Sequence, residues 1–178
     1  RRREQIRDVA GGTGHFAFRM ADRGAAVTVS DINPDMLAVG MERAEKRGLA
    51  GLIWQVENAE KLSFADAQFD AYTIAFGIRN VTAIPAPPGE AHGVLKRGGR
   101  FYVLEFSTSE WPGFGELYDR YSEHLIPRLG KAVAKEEKSY RYLVESIRRF
   151  PKMEEFRGMI GEAGFQSTSV EPILGGLV

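Results

Sequence analysis

The 178-residue sequence contains no cysteine. This absence excludes disulfide frameworks, thiolate metal sites and cysteine nucleophiles. The sequence also has no excess of either charge, since its 24 lysine and arginine residues balance 24 aspartate and glutamate residues. A chain without net charge has no global field to hold a polyanion, so a dedicated nucleic-acid-binding protein is disfavoured.

Long apolar runs are absent as well. The longest nearly apolar run, Ala71 to Ile78, is far shorter than the roughly 20 residues that a helix needs to cross a bilayer. The sequence does contain 43% apolar residues, which is enough to bury one core. We therefore expect a single domain over residues 1–178. The abrupt ends of the sequence lead us to expect that an N-terminal helix and the last residues of a C-terminal strand are missing.

Short β-branched or apolar segments alternate with segments of helical spacing. Asn33 and Pro34 are typical of a helix start, and Gly48 is typical of the end of that helix. Another helix is predicted from His15 to about Arg23. This alternation predicts an α/β fold, with a mostly parallel twisted sheet flanked by helices on both faces. The predicted strands are Ile6–Ala10, Ala26–Ser30, Leu52–Val56, Phe69–Phe76 and Arg100–Phe106.

The pattern changes between and after the last two of these strands. Several prolines and glycines between residues 85 and 93 disfavour a helix, so we predict helix only from Glu90 to Leu95. Apolar residues then recur at steps of three and four, which predicts amphipathic helices over 114–129 and 140–147. A further helix is predicted from Pro151 to Gly164, followed by a late, incomplete strand from Phe165 to Val170.

A glycine-rich turn, Gly11-Gly12-Thr13-Gly14, lies between the first predicted strand and a predicted helix. Because glycine has no Cβ, the backbone of such a turn can approach a ligand, and the next helix presents unpaired N–H groups. Asp31 ends the second predicted strand, where a carboxylate can accept both hydroxyls of a ribose. The combination predicts a cofactor site, although the glycines alone are also typical of an ordinary tight turn.

Two cofactors are compatible with this pattern. The run from Gly12 to Ala17 satisfies the dinucleotide pattern and keeps a nicotinamide cofactor open. A hydride-transfer enzyme usually has a separate substrate region and a proton donor, and no tyrosine here is followed by lysine four positions later. S-adenosylmethionine fits better. Its site uses an acid in strand one, a glycine turn and an acid after strand two, which here are Asp8, Gly12, Gly14 and Asp31.

Several sequence blocks, in order along nearly the whole chain, resemble the ubiquinone/menaquinone biosynthesis C-methyltransferase family. This family lies within the class I S-adenosylmethionine-dependent methyltransferases. The resemblance implies a Rossmann-like fold with a helical insert after strand five, and S-adenosylmethionine as the cofactor. The blocks are residues 8–14, 31–37, 58–60, 76–81, 94–100, 104–107 and 139–147.

The resemblance also implies cofactor contacts. Thr13 would contact the cofactor in the glycine turn, Asp31 would hold its ribose, and Asn58 with Ala59 would border its adenine. Ala75 stands where the family usually has serine, so a hydrogen bond worth about 0.5–1.5 kcal/mol is absent there. We expect cofactor binding to be weakened by this change and not lost. Without the resemblance, Asn58 is typical of a turn that closes a strand.

Arg79 and Asn80 follow the fourth predicted strand, at the carboxyl edge where ligands of open α/β sheets bind. The resemblance implies that they position a water molecule or stabilise a developing phenolate, and an arginine beside a phenol lowers the pKa of that phenol. The alternative is an ion-paired loop arginine with a turn-forming asparagine. Asp119 and His124 are weaker candidates for a general base. We predict no metal site, because the histidines have no ligand spacing.

The implied activity is methyl transfer from S-adenosylmethionine to a ring carbon of a polyprenylated benzoquinol or naphthoquinol in ubiquinone/menaquinone biosynthesis. Departures from the family pattern at His15, Gly93 and Ala75 keep an alternative open, namely a weak or inactive binding subunit of a quinone-synthesis assembly. Expected partners are the polyprenyl quinol, a membrane surface or quinone-synthesis complex, and a second copy in a homodimer. We expect a cytoplasmic protein, peripheral at the inner membrane face, or on the matrix side of the mitochondrial membrane in a eukaryote.

Overall fold

A computed structural model describes residues 3–107, 137–173 and 178. By contacts, the chain divides into two compact units, one comprising Arg1–Glu105 with Met159–Gln166 and the other Phe106–Gly158 with Ser167–Val178. The expectation of a single domain over 1–178 stays a prediction. In the part of the chain that the structure describes, no helix has the length and apolar character to cross a membrane.

The first unit is built on a five-stranded sheet in which every neighbouring pair is parallel. The strand order is β3-β2-β1-β4-β5, so the order reverses beside β1. This topology confirms the predicted α/β class, and four of the predicted strands lie within a residue of their observed bounds. The strands are β1 (Gln5–Val9), β2 (Ala26–Asp31), β3 (Ile53–Val56), β4 (Phe69–Ala75) and β5 (Leu95–Leu104).

Helices cover both faces of this sheet. Helices α1 (His15–Asp22) and α2 (Pro34–Lys46) contribute Ala17 and Leu37 to a core with Ile6, Val27 and other apolar residues of one sheet face. On the other face, the ring of Phe101 packs against Tyr72 and Phe165, and Phe165 contacts His92 of α3 (Ala86–Val94). The predicted start of α2 is confirmed, because Asn33 Oδ1 accepts a hydrogen bond of 2.9 Å from the Asp35 N–H.

The prediction that prolines confine α3 to residues 90–95 is wrong. The helix begins at Ala86, and Pro87 and Pro88 occupy its second and third positions. Backbone N–H groups in the first turn have no partner within the helix, so proline removes no hydrogen bond there. Both prolines are buried and contribute apolar surface.

The fifth strand also differs from its prediction, since it begins at Leu95 and ends at Leu104. Leu95 pairs with Phe69, and Arg100 pairs with Ala71 after an irregularity in the register. Such a bulge accommodates extra residues, and Gly98 has a φ of +78° that favours glycine. Glycines near 98 therefore lie inside the strand and do not precede it.

The second unit contains α4 (Glu137–Arg149), which confirms the predicted helix over 140–147. The rings of Phe150 and Phe156 pack there with centroids 5.1 Å apart. The next helix, α5 (Met153–Glu162), is shorter at both ends than predicted. The predicted helix over 114–129, with Asp119 and His124, lies outside the described residues.

The predicted late strand from Phe165 to Val170 is wrong, because these residues form no strand. Phe165 instead packs its ring against Phe101 at a centroid distance of 5.3 Å. Further on, the backbone groups of Ile173 and Val178 bond to each other and to no strand of the sheet. A segment of alternating apolar residues forms a strand only where its backbone can pair with a neighbouring strand. This segment has no such neighbour among the described residues.

Candidate active site

The candidate site lies at the carboxyl ends of β1, β2 and β4. The sheet order reverses between β1 and β4, which is the point where open α/β sheets bind ligands. The predicted residues Asp8, Asp31 and Ala75 lie on these three strands. The predicted cofactor and catalytic residues are all in the first unit, so one folded unit places them together.

The glycine turn follows β1 directly and is shaped by its glycines. Gly12 has a φ of +53° and Gly14 a φ of +83°, values that L side chains rarely adopt. The Gly11 N–H donates to the Ser30 carbonyl at 3.0 Å, which fastens the turn to β2. A Cβ at Gly14 would lie 2.6 Å from the Trp54 ring, so the turn also needs glycine for space.

Asp31 faces this turn from the end of β2. Its Oδ2 accepts a hydrogen bond from the Gly12 N–H at 3.0 Å, and its Oδ1 accepts one from the Asn33 N–H at 2.9 Å. A carboxylate has about four acceptor positions, so each oxygen can still accept another hydrogen bond. A Cβ at Gly12 would lie 3.3 Å from the Met36 methyl group and 4.0 Å from Oδ2, so glycine keeps a side chain out of the region in front of the carboxylate.

Asp8 lies beneath the turn and is only 2% exposed. Its Oδ1 accepts a 2.6 Å hydrogen bond from the Thr73 hydroxyl, while its Oδ2 has no hydrogen-bond partner among the residues that the structure describes. Burial raises the pKa of Asp8 to about 6, and the Thr73 hydrogen bond, the Arg7 charge and a long contact with the Ala17 backbone N–H oppose this rise. A buried acceptor without a partner is costly, and a donor from a ligand would remove that cost.

Asn58 and Ala59 follow β3, close to Asp31, because the Glu57 N–H donates to the Asp31 carbonyl at 3.1 Å. The Asn58 side chain accepts a hydrogen bond from the Glu60 N–H at 2.9 Å. This is the turn geometry that Asn58 predicts from its residue type alone. The Thr13 hydroxyl accepts a hydrogen bond from Arg43 of α2 at 2.9 Å, so α2 helps to orient the turn.

Glu60 connects the Asn58 loop to the loop after β4. Its two carboxylate oxygens accept hydrogen bonds from the Thr82 N–H at 3.2 Å and the Ala83 N–H at 2.7 Å. The Leu62 N–H donates to Glu90 of α3 at 2.7 Å. The predicted adenine-side residues and the segment that follows Asn80 are therefore joined directly.

The end of β4 approaches the end of β1 closely. A Cβ at Gly77 would lie 2.4 Å from the Ala10 Cβ, so only glycine permits this approach. Ala10 and Phe76 both have positive φ values, of 52° and 56°. Non-glycine residues in this region are uncommon and cluster at functional sites. Ala75, which ends β4, pairs with Leu104 of β5.

Arg79 lies in a 3-10 helix, Ile78–Asn80, beyond β4. Its Nη1 donates to Glu105 Oε1 at 2.5 Å and to the Phe76 carbonyl at 2.7 Å. The side chain of Arg79 is 11% exposed and that of Glu105 is 4% exposed. The Asn80 N–H donates to the Gly77 carbonyl at 3.1 Å. The structure thus shows the ion pair and turn that the sequence offered as the alternative, and it identifies Glu105 as the partner.

Glu105 had no predicted role of its own. Its signals in the sequence were its place in the block 104–107 and its position as an acid near the end of an apolar strand. Among the described residues, no cluster of three His, Cys, Asp or Glu side chains could hold a metal ion.

Comparison with proteins of known structure identifies the fold that carries this site. The fold matches solved methyltransferases: a SAM-dependent methyltransferase from Aquifex aeolicus has a TM-score of 0.67 at 14% identity, covering 96% of this chain and 76% of that one. Phosphoethanolamine N-methyltransferase 2 of Haemonchus contortus, solved with S-adenosyl-L-methionine, has a TM-score of 0.69 at 19% identity, with coverage of 93% and 34%. The fold is therefore that of class I S-adenosylmethionine-dependent methyltransferases.

The sequence comparisons are more specific. The model of the ubiE/COQ5 methyltransferase family matches residues 1–178. The ubiquinone/menaquinone biosynthesis C-methyltransferase UbiE of Zymomonas mobilis is 57% identical over 175 residues, or 98% of this chain and 72% of that protein. Its counterpart from a Bradyrhizobium strain is 55% identical, covering 96% and 69%. The chain belongs to the ubiE/COQ5 methyltransferase family, and it is a methyltransferase that uses S-adenosylmethionine.

The site residues fit this cofactor. The Asp8 Oδ2, which lacks a hydrogen-bond partner of ordinary geometry among the described residues, and the remaining acceptor capacity of Asp31 lie around one turn. Two carboxylates suit a ligand that carries positive charge and ribose hydroxyls. The site is therefore compatible with S-adenosylmethionine, and the family match identifies this cofactor over the nicotinamide alternative.

Proposed function

We propose that this methyltransferase transfers a methyl group from S-adenosylmethionine to a ring carbon of a polyprenylated benzoquinol or naphthoquinol. The observation that carries the proposal is the placement of a cofactor turn and a loop arginine at one reversal point of the sheet, in a chain 57% identical to a quinone-biosynthesis C-methyltransferase. The comparisons give no support to the alternative of an inactive binding subunit.

When bound, the cofactor supplies an electrophilic methyl group on a sulfonium sulfur. Asp31, oriented by the Gly12 and Asn33 N–H groups, holds the ribose through hydrogen bonds. Asp8 places negative charge beneath the turn, where it would attract the positive charge of the cofactor. Gly12, Thr13 and Gly14 bring backbone close to the ligand, and Asn58 with Ala59 borders the adenine.

Arg79 and Asn80 act on the quinol. A quinol ring carbon becomes a better nucleophile when a ring hydroxyl loses its proton, because the negative charge is shared with the ring. A guanidinium near that hydroxyl lowers its pKa and stabilises the phenolate. Asn80 is an exposed residue of the same loop, and we assign to it the binding of a hydroxyl or a water molecule.

Separate substitutions test this division of roles in a methyl-transfer assay with labelled S-adenosylmethionine and a reduced demethylquinol. We expect Arg79→Ala to keep cofactor affinity and lower kcat by about a hundredfold, as loss of one transition-state donor does. Asp31→Ala should raise the cofactor Kd by about tenfold to a hundredfold, because hydrogen bonds to a charged group are lost.

Asp35→Ala is the matched control, since Asp35 is an exposed acid in the first turn of α2. This substitution should leave kcat and the cofactor Kd within about twofold of the wild-type values, because exposed side chains away from the site have small effects. Equal loss of cofactor affinity in Arg79→Ala and Asp31→Ala contradicts the division of roles. Absence of methyl transfer by the wild-type protein contradicts the proposed activity.

We also propose that the protein works at a membrane surface on the cytoplasmic side, or the matrix side in a eukaryote, alone, as a homodimer or in a quinone-synthesis complex. The support is chemical: a polyprenyl tail partitions into a bilayer, so its ring is met at the bilayer surface. Flotation with phospholipid vesicles that contain a polyprenyl quinol tests this. Protein that stays with the unbound fraction contradicts it.

A further inference from the structure

The buried carboxylate of Glu105 accepts hydrogen bonds from both the side chain and the backbone N–H of Arg79. Its Oε1 accepts the 2.5 Å hydrogen bond from the Arg79 guanidinium, and its Oε2 accepts a 3.2 Å hydrogen bond from the Arg79 backbone N–H. The backbone bond fixes where the 3-10 helix lies, and the guanidinium bond fixes where the side chain points. One side chain from the end of β5 thus holds both parts of a residue that lies 26 positions earlier.

This arrangement restricts the guanidinium strongly. Nη1 is shared between Glu105 and the Phe76 carbonyl, and Phe76 has a φ of +56° at the end of β4. An exposed arginine loses about 2 kcal/mol of side-chain entropy when it is ordered, and here that ordering is present before any quinol binds. Preorganised donors stabilise a transition state more than mobile ones, because they need no rearrangement during the reaction.

We propose that Glu105 is a positioning residue for methyl transfer, acting through Arg79 and without touching cofactor or quinol. The inference rests on the proposed function of Arg79. It assigns to Glu105 the orientation of the arginine toward the quinol hydroxyl, and it predicts a defect in kcat with little change in cofactor affinity.

The chain offers a matched control at the opposite end of β4. Asp70 accepts a 2.6 Å hydrogen bond from Lys96 and a 2.8 Å hydrogen bond from the Gln5 backbone N–H. It therefore also joins one cation and one backbone N–H, but at the amino end of the sheet, away from the candidate site. Asp70→Asn should leave kcat within about twofold of the wild type.

The test uses Glu105→Gln and Glu105→Asp in the full chain, with circular dichroism to establish folding. Glu105→Gln should lower kcat by about tenfold to a hundredfold with the cofactor Kd within about twofold, as expected when a charge-assisted bond is removed. Glu105→Asp keeps the charge and should restore part of the loss. In an Arg79→Ala background, Glu105→Gln should lower kcat no further, since residues that act as a unit are not additive.

A second readout does not depend on activity. Side-chain NMR should show slow rotation of the Arg79 guanidinium in the wild type and fast rotation in Glu105→Gln, with the signal assigned by its loss in Arg79→Lys. Unchanged rotation and unchanged kcat overturn the inference, as does an equal kcat loss in Asp70→Asn or in the Arg79→Ala background. If rotation changes but the wild type transfers no methyl group, the positioning stands and the proposed function fails.

Discussion

Asp8 is a buried carboxylate beneath the glycine turn. Its carboxyl group is buried, one of its oxygens has no partner among the described residues, and its pKa is raised to about 6. Near neutral pH the group is mostly ionised and lacks a full set of hydrogen bonds. A buried, ionised carboxylate of this kind does not favour folding, because a neutral side chain of the same shape would cost less free energy to bury.

This predicts opposite effects of Asp8→Asn on stability and on binding. Because the folded pKa lies above the ordinary value of 3.8, the folded state binds more protons, and stability falls as pH rises from about 4 to 6. Asp8→Asn should remove this fall and gain up to about 3 kcal/mol over the wild type above pH 6 without cofactor. Denaturant unfolding at pH 4 and pH 7.5 measures it.

Cofactor affinity should move the other way. The ionised form of Asp8 attracts the positive charge of S-adenosylmethionine, so wild-type affinity should rise as pH passes through about 6. In Asp8→Asn this rise should be absent and the affinity low throughout. Calorimetric titrations across this pH range measure both, and a variant with wild-type affinity at pH 7.5 would contradict a role for Asp8 in the site.

At the level of elements, the packing of α2 against the glycine turn links helix and site. Gly40 of α2 allows this contact, since a Cβ there would lie 2.5 Å from the Trp54 ring and 3.2 Å from the backbone of Thr13. The same helix supplies Arg43, which donates to the Thr13 hydroxyl. A displacement of α2 is therefore expected to move the turn.

Gly40→Ala tests this link. The added methyl group forces Trp54 or the turn to shift, which should lower the free energy of unfolding by about 1–3 kcal/mol and weaken cofactor binding. Gly158 of α5 is the control, because it has a helical backbone and no atoms of the described residues within 4 Å of an added Cβ. Gly158→Ala should raise stability by about 0.4–1 kcal/mol and leave binding unchanged. Equal behaviour of the two variants in denaturation and calorimetry contradicts the link.

Some helices and strands could be predicted from the sequence and others could not. Strands β1 and β2 were predictable from their short runs of apolar and β-branched residues. Helix α2 and the glycine turn were predictable because Asn33, Pro34 and the glycines act on their immediate neighbours. Helix α3 was not, since two prolines disfavour a helix except in its first turn, and the sequence does not show where that turn begins. The strand predicted at 165–170 failed because a strand needs a partner that no local pattern shows.

The pair of Arg79 and Glu105 illustrates the same limit within the site. Each residue was visible at the end of a strand, but their contact depends on β4 and β5 being neighbours in register, with Ala75 opposite Leu104. Residue types at strand ends therefore indicated which edge is functional. They did not indicate which side chains are bound to each other before a substrate arrives.

At the scale of the whole molecule, function depends on one edge of one sheet. The chain has no net charge, so it attracts the cofactor through local carboxylates and not through an overall field. The reversal of strand order beside β1 opens the crevice, and the loops after β1, β2, β3 and β4 supply its residues. The glycine turn and the Arg79 loop approach each other closely at Ala10 and Gly77, so the predicted cofactor-binding residues and the predicted quinol-binding residues lie on neighbouring loops.

A crystal structure of the protein with S-adenosylmethionine measures most directly where the cofactor lies relative to Asp31 and to the loop that bears Arg79. We predict both ribose hydroxyls within hydrogen-bond distance of the Asp31 carboxylate, the ligand above the Gly12 turn, and the methyl group facing the loop that bears Arg79. A ligand bound elsewhere on the sheet, or a methyl group pointing away from that loop, would contradict it.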